Sequence, residues 1–192
     1  MDRACQAERA NGANLLTITG GHQIDALCYC LGEFRELSAF AVSQRDRIAL
    51  AETGERIAKD VPDQLAVNGI VGDGAVASFH IRGGMTRGTA FLFDVHGETG
   101  DLTLTATSRD SMQRQELTVR GAQGAARELA ELPVPARYRR VSEGTLGDSR
   151  YNVAQLYARL TERIRDGQPM SPDFAAAVTR HRLLADAAQR SG

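Results

Sequence analysis

The sequence contains no tryptophan, and lysine occurs once, at Lys59, although lysine and arginine together number 23. An arginine bias of this kind is what a GC-rich genome produces, and it carries no recognition chemistry by itself. Neither charge dominates: 23 basic residues face 24 acidic ones, for a formal net charge of −1. That balance removes the electrostatic reason for expecting nucleic acid or an anionic membrane as a partner. No stretch approaches the roughly 18 unbroken apolar residues of a membrane span. Met1-Asp2-Arg3-Ala4-Cys5 has no apolar core of a secretory signal, so a cytoplasmic protein is expected. Cysteines are few and odd in number (Cys5, Cys28 and Cys30), which excludes a disulfide framework. They form no CxxC and no pair at zinc spacing, so no metal site is expected and they read as small buried hydrophobes. Also missing is a Gly-x-Gly-x-x-Gly after a strand, the arrangement that cradles a pyrophosphate at a helix N-terminus.

What is present fits an ordinary globular domain. The 192 residues are 42% apolar and 24% charged, enough for one domain with a core of its own. After Gly20-Gly21, the spacing of Ile24, Leu27, Cys28 and Leu31 predicts a helix over 21–32 with one apolar face, ended by Gly32. Strand signals follow at 37–43, 65–71, 75–82, 89–96, 102–106 and 115–120. Gly72-Asp73-Gly74 closes one hairpin, and Gly97-Glu98-Thr99-Gly100-Asp101 turns a second. Asp148-Ser149 can cap a helix with the apolar stripe Val153, Leu156, Tyr157, Leu160 and Ile164. Ser171-Pro172-Asp173 starts a last helix, striped by Phe174, Val178, His181, Leu184, Ala185 and Ala188. The expected fold class is α+β: an open, largely antiparallel sheet with helices on one face.

One segment concentrates groups that do chemistry. On the helix over 21–32, His22, Asp25 and Tyr29 recur at i, i+3 and i+7, away from the Ile24/Leu27/Leu31 face. An imidazole, a carboxylate and a phenol side by side are what proton transfer at a substrate hydroxyl requires. Polar residues on one side of an amphipathic helix are, however, most often just its solvated side.

The run Gly20-Gly21-His22-Gln23-Ile24-Asp25-Ala26-Leu27-Cys28-Tyr29-Cys30-Leu31-Gly32-Glu33 resembles the active-site helix of Gfo/Idh/MocA oxidoreductases. Asn68-Gly69 with Gly74-Ala75-Val76-Ala77-Ser78 resembles that family's hairpin. The turn before Leu102, and Arg165-Asp166-Gly167 followed by the 174–184 helix, resemble its later segments. The resemblance covers roughly residues 11–192 and is to the C-terminal, substrate-side domain, in the branch related to the fungal galactose-regulon repressor.

That resemblance implies hydride transfer from a sugar or polyol carbon to NAD or NADP, with His22 and Tyr29 as proton-transfer groups and Asp25 as orienter or hydroxyl ligand. It also implies a homo-oligomer through the open sheet face. The family's Glu-Lys-Pro lysine has no match, since Lys59 is followed by Asp60, and a phenol with no cation beside it ionises only near pH ~10. The expectation is therefore one substrate-binding and dimerisation domain over 1–192, lacking its first strand and the upstream dinucleotide-binding domain, and truncated relative to the family. Such a chain binds no cofactor alone and is inactive without a Rossmann-domain partner chain. The rival expectation is a sugar-sensing or regulatory protein-binding module.

Other residues read as structural. His80, Arg82 and His96 are expected on the surface or at an interface, and His181 as a satisfied core histidine. Arg137, Arg139 and Arg140 around Tyr138 are too few for a nucleic-acid patch.

Overall fold

The computed structural model of the chain describes residues 4–50, 52–84, 87–107, 112–141 and 149–189. Every strand pairing is antiparallel, and the helices and strands form the expected α+β class. The chain divides into two compact units, residues 1–84 with 172–192, and residues 85–171.

In the first unit a single turn of π-helix, Leu16–Gly20, runs directly into helix α1, Gly21–Leu31. The helix stops where the sequence predicts, at Gly32, whose φ of 95° is left-handed and whose N–H donates to the carbonyl of Cys28. Strand β1, Phe34–Val42, follows, and the short hairpin β2, Arg47–Ala49, with β3, Arg56–Ala58, comes next. Strands β4, Gln64–Val71, and β5, Ala75–Arg82, complete a three-stranded sheet in the order β1-β4-β5. The β2–β3 hairpin was not expected, because an Arg-Ile-Ala triplet carries too little alternation to register as a strand.

The period-two pattern decides which side of this sheet is covered. Leu65, Val67 and Val71 of β4 are fully buried, in register with Ala39 of β1 and with Phe79 and Ile81 of β5. With Ile24 of α1 they are the largest fully buried side chains, and each contributes on the order of 1.5–3 kcal/mol by leaving water. The opposite face carries Phe40, His80 and Val76, the last 83% exposed.

Two glycines let α1 sit flush on that core. A Cβ on Gly20 would meet Leu65 Cδ2 at 3.0 Å, and one on Gly21 would meet Leu184 Cδ1 at 3.3 Å. Leu184 belongs to helix α3, Phe174–Gln189, which returns to this unit from the end of the chain. Asp173 caps it, its carboxylate accepting from the N–H of Ala176 at 2.9 Å.

The second unit holds a four-stranded sheet, β6 (Phe91–His96), β7 (Gly100–Ala106), β8 (Thr118–Gln123) and β9 (Ala130–Glu131), in that order. Helix α2, Ser149–Arg165, is tied to its own unit by polar side chains: Asn152 donates to the carbonyl of Gln113, and Gln155 to that of Tyr138. The expected cap Asp148 lies outside the described residues.

Of the three cysteines expected to be small buried hydrophobes only Cys28 is buried, and Cys5 and Cys30 are exposed. Three expectations about the later helices also need correction. On α2 the predicted apolar stripe is not covered: Val153, Leu156, Tyr157 and Ile164 are all exposed, and Tyr151 is the helix's buried side chain. On α3 the packed side is Arg180, Leu184 and Ala187, whereas Phe174 (92% exposed), Val178 and Ala185 face outward. His181 is exposed too, not a core histidine. In each case the periodicity identifies an apolar stripe, but periodicity alone does not say that anything covers it.

Candidate functional site on helix α1

Helix α1 separates its two sides as the sequence predicts. Gly21, Ile24, Leu27 and Cys28 are buried, while His22, Asp25 and Tyr29 are exposed together on the other side. His80 and Arg82 do not join them. They lie on the face of the β1-β4-β5 sheet turned away from α1, where His80 Nε2 and Gln64 Oε1 are 3.1 Å apart. His96 belongs to the second unit and closes the β6–β7 hairpin across from Asp101, with Nδ1 to Oδ1 at 3.0 Å.

The sequence reading missed a guanidinium that organises this stripe. Arg180, from α3, has a side chain only 10% exposed. Its Nε donates to Asp25 Oδ1 at 3.1 Å. Its Nη1 and Nη2 grip the Glu33 carboxylate at 3.1 and 2.9 Å. Nη1 also donates to Cys28 Sγ at 3.0 Å. Burial works against the charge of Arg180, but the hydrogen bonds to Glu33 and Asp25 outweigh it and hold the group above the ordinary arginine pKa. Burial pushes the Cys28 thiol up to about 11, with the Arg180 charge opposing, so its sulfur is a neutral acceptor and not a nucleophile. The carboxylates themselves stay in contact with water, Asp25 at 56% and Glu33 at 54%. One oxygen of Asp25 is thus fixed to the protein while the carboxylate still faces the solvent beside His22.

Lys59 is not part of this arrangement. Its side chain is 5% exposed and paired to Asp63 Oδ2 at 3.2 Å, with Ser43 Oγ at 2.8 Å. Asp63 in turn accepts from the N–H groups of Gln44 and Arg45 at 3.1 Å each. The cation is fully engaged in joining the β3–β4 link to the end of β1 and cannot assist Tyr29.

The glycines that open α1 do not fit a dinucleotide. A phosphate cradle needs backbone that a Gly leaves open to ligand, after a strand and before a helix. Gly20 ends a turn of π-helix and Gly21 follows it, and the space of their missing side chains is filled by Leu65 and Leu184. Among the described residues no group of three or more His, Cys, Asp or Glu is placed to hold a metal ion, and no helix is long and apolar enough to cross a membrane.

Comparisons with known proteins agree with this architecture. Dehydrogenase aclE of Aspergillus oryzae is 33% identical over 75 residues, 37% of this chain and 20% of that protein. The galactose/lactose metabolism regulatory protein GAL80 of Saccharomyces cerevisiae is 33% identical over 109 residues, 50% of this chain and 25% of that protein. The crystal structure of a super-repressor mutant of that regulator superposes with a TM-score of 0.77 at 22% identity, covering 96% of this chain and 50% of the other. Levoglucosan dehydrogenase in complex with NADH and L-sorbose superposes with a TM-score of 0.68 at 22% identity, covering 98% of this chain and 52% of that enzyme. The chain thus spans about half the length of these solved structures and a quarter or less of the two sequence relatives, which are a dehydrogenase and a regulator. The model of the Gal80p C-terminal domain matches residues 4–106, more than half of the sequence and all of the α1 site except Arg180, and the chain belongs to that family.

Proposed function

We propose that this chain is the substrate-side part of an NAD(P)-dependent sugar or polyol oxidoreductase and that α1 is its substrate surface. The observation that carries this reading is the division of α1: His22, Asp25 and Tyr29 face water while the other side is packed against Leu65 and Leu184. Asp25 is also held from behind by a mostly buried cation, Arg180, which it shares with Glu33. Of two neighbouring sugar hydroxyls placed over the stripe, one donates to the Asp25 carboxylate, and the other gives its proton to the imidazole of His22, directly or through the Tyr29 hydroxyl, which accepts that proton as it passes its own on. The hydride belongs to a nucleotide that these residues do not hold, so NAD or NADP has to come with a dinucleotide-binding partner domain. The open face of the β1-β4-β5 sheet, with Phe40 and Val76 exposed, is where we place a homo-oligomer contact.

Calorimetric titration of the purified chain tests this. No heat with NADH, together with millimolar binding of levoglucosan or L-sorbose that His22→Ala and Asp25→Ala abolish, is the expected result. Micromolar NADH binding, or sugar binding indifferent to both substitutions, would overturn it.

The similarity to the GAL80 regulator favours a second reading, a regulatory module that binds a protein. In that case a partner binds equally well with and without nucleotide, and the α1 substitutions leave binding unchanged.

A further inference from the structure

We infer that Arg180 is the positioning residue of the α1 site: by occupying Asp25 Oδ1 it fixes that carboxylate in one rotamer, with its other oxygen left to receive a substrate hydroxyl. The inference deepens the proposed function and rests on its placing the substrate at α1. The geometry is specific. A guanidinium has five N–H donors in a rigid fork. Two sides of the Arg180 fork are committed to Glu33 and Cys28, at 2.9 to 3.1 Å. The Nε that remains points at Asp25. The bidentate grip on Glu33, just past the end of α1, sets the plane of the guanidinium, and that plane sets where Oδ1 must lie.

Two features distinguish this from an ordinary surface ion pair. Arg180 is buried while both carboxylates are about half exposed, so the ordered partner is the cation and the solvent-facing partner is the site residue. The three groups also come from different places in the chain: Asp25 from the middle of α1, Glu33 from the link to β1, and Arg180 from α3, 155 residues after Asp25. The arrangement also assigns the role of Asp25. With one oxygen bound to Arg180, the carboxylate acts as a hydroxyl acceptor, and His22, at i−3, is left as a proton acceptor on its own.

The test uses the full chain, and it compares wild type, Arg180→Met and Arg180→Lys. The first readout is the Asp25 side-chain rotamer, from the three-bond couplings to its carboxyl carbon. The second is the dissociation constant for levoglucosan. We expect a single Asp25 rotamer in wild type and rotamer averaging in Arg180→Met, in a protein that still melts cooperatively. Sugar binding should weaken by about tenfold, roughly what one charged hydrogen bond is worth. Arg180→Lys keeps the charge without the fork and should recover stability but not the single rotamer.

A single rotamer that survives in Arg180→Met, or averaging already present in wild type, would overturn the inference. If Asp25 is released in Arg180→Met but wild type binds no sugar, Arg180 positions Asp25 as inferred and it is the sugar-site reading that fails. Should Arg180→Met not fold, exchange of the Arg180 Nε–H in wild type decides the matter. Slow exchange that accelerates in Asp25→Ala supports the contact, and fast exchange in both refutes it.

Discussion

The end of α1 rests on the β4–β5 turn through two glycines: a Cβ on Gly32 would stand 2.7 Å from the Cα of Gly72. Both residues are left-handed, with φ of 95° and 51°, and a Cβ on Gly72 would come closer still to the carbonyl oxygen of Leu31. This close backbone approach, with the Gly72 N–H donating to the carbonyl of Glu33 at 3.0 Å, seats the end of the helix that carries His22, Asp25 and Tyr29 on the sheet beneath it.

Substitution of either glycine is expected to be costly. Left-handed strain of about 1–2 kcal/mol per residue adds to a steric overlap that typically costs about 1–3 kcal/mol. Gly32→Ala and Gly72→Ala should each lower the urea midpoint clearly. Gly54 is the control, with φ of 73° and nothing within 4 Å of its missing Cβ. Gly54→Ala should cost only the strain.

The Lys59–Asp63 pair predicts a pH dependence. Burial pushes the Asp63 carboxyl up, but the N–H of Gln44 and the ammonium of Lys59 more than compensate, so its pKa lies below the usual carboxylate value. A group depressed in the folded state adds stability above its unfolded pKa, near ~3.9, and that stability is lost as the pH falls through the folded value. Urea midpoints should therefore decline below about pH 4, and Asp63→Asn should remove this part of the decline. The substitution should itself cost about 3–5 kcal/mol at pH 7, because it leaves Lys59 buried without its counter-charge.

The two sides of α1 should respond in opposite ways. His22→Ala and Tyr29→Phe remove exposed groups and should change stability by no more than about 0.5 kcal/mol, while abolishing sugar binding in calorimetry. Ile24→Ala empties a fully buried position and should cost about 2–5 kcal/mol in a denaturant titration.

On α3 the same contrast runs between Leu184 and Phe174. Leu184→Ala should cost about 2–5 kcal/mol. Phe174→Asp, at a site 92% exposed, should leave the melt within about 0.5 kcal/mol of wild type. It should also reduce dye binding and any self-association seen by sedimentation, since Phe174 and Val178 line one apolar groove with Ala177 and Ala185.

The amino-acid pattern made α1 legible almost to the residue, because glycines flank it and Ile24, Leu27 and Cys28 repeat at helical spacing. Four of the longer strands, β4 to β7, were legible for a similar reason, alternation bounded by Gly-Asp-Gly or Gly-Glu-Thr-Gly turns. What escaped was whatever depends on which surface meets which. Nothing in the spacing of Val153, Leu156 and Tyr157 distinguishes a stripe that is covered from one that is not, and of the stripe expected on α3 only Leu184 is buried. Arg180 escaped for a related reason. An arginine within a polar helical stretch normally reads as solvated, and only the return of α3 against α1 brings its fork to Asp25 and Glu33. The stripe His22, Asp25 and Tyr29 was visible in one dimension; its anchor was not.

Lys59 is the sole lysine in the sequence and is 5% exposed, so the folded chain offers almost no side-chain amine to acylating reagents. Acylation at this one position becomes a clock for opening of the β3–β4 link. Its rate reports how often this link lifts away from the end of β1, with no other lysine to blur the signal.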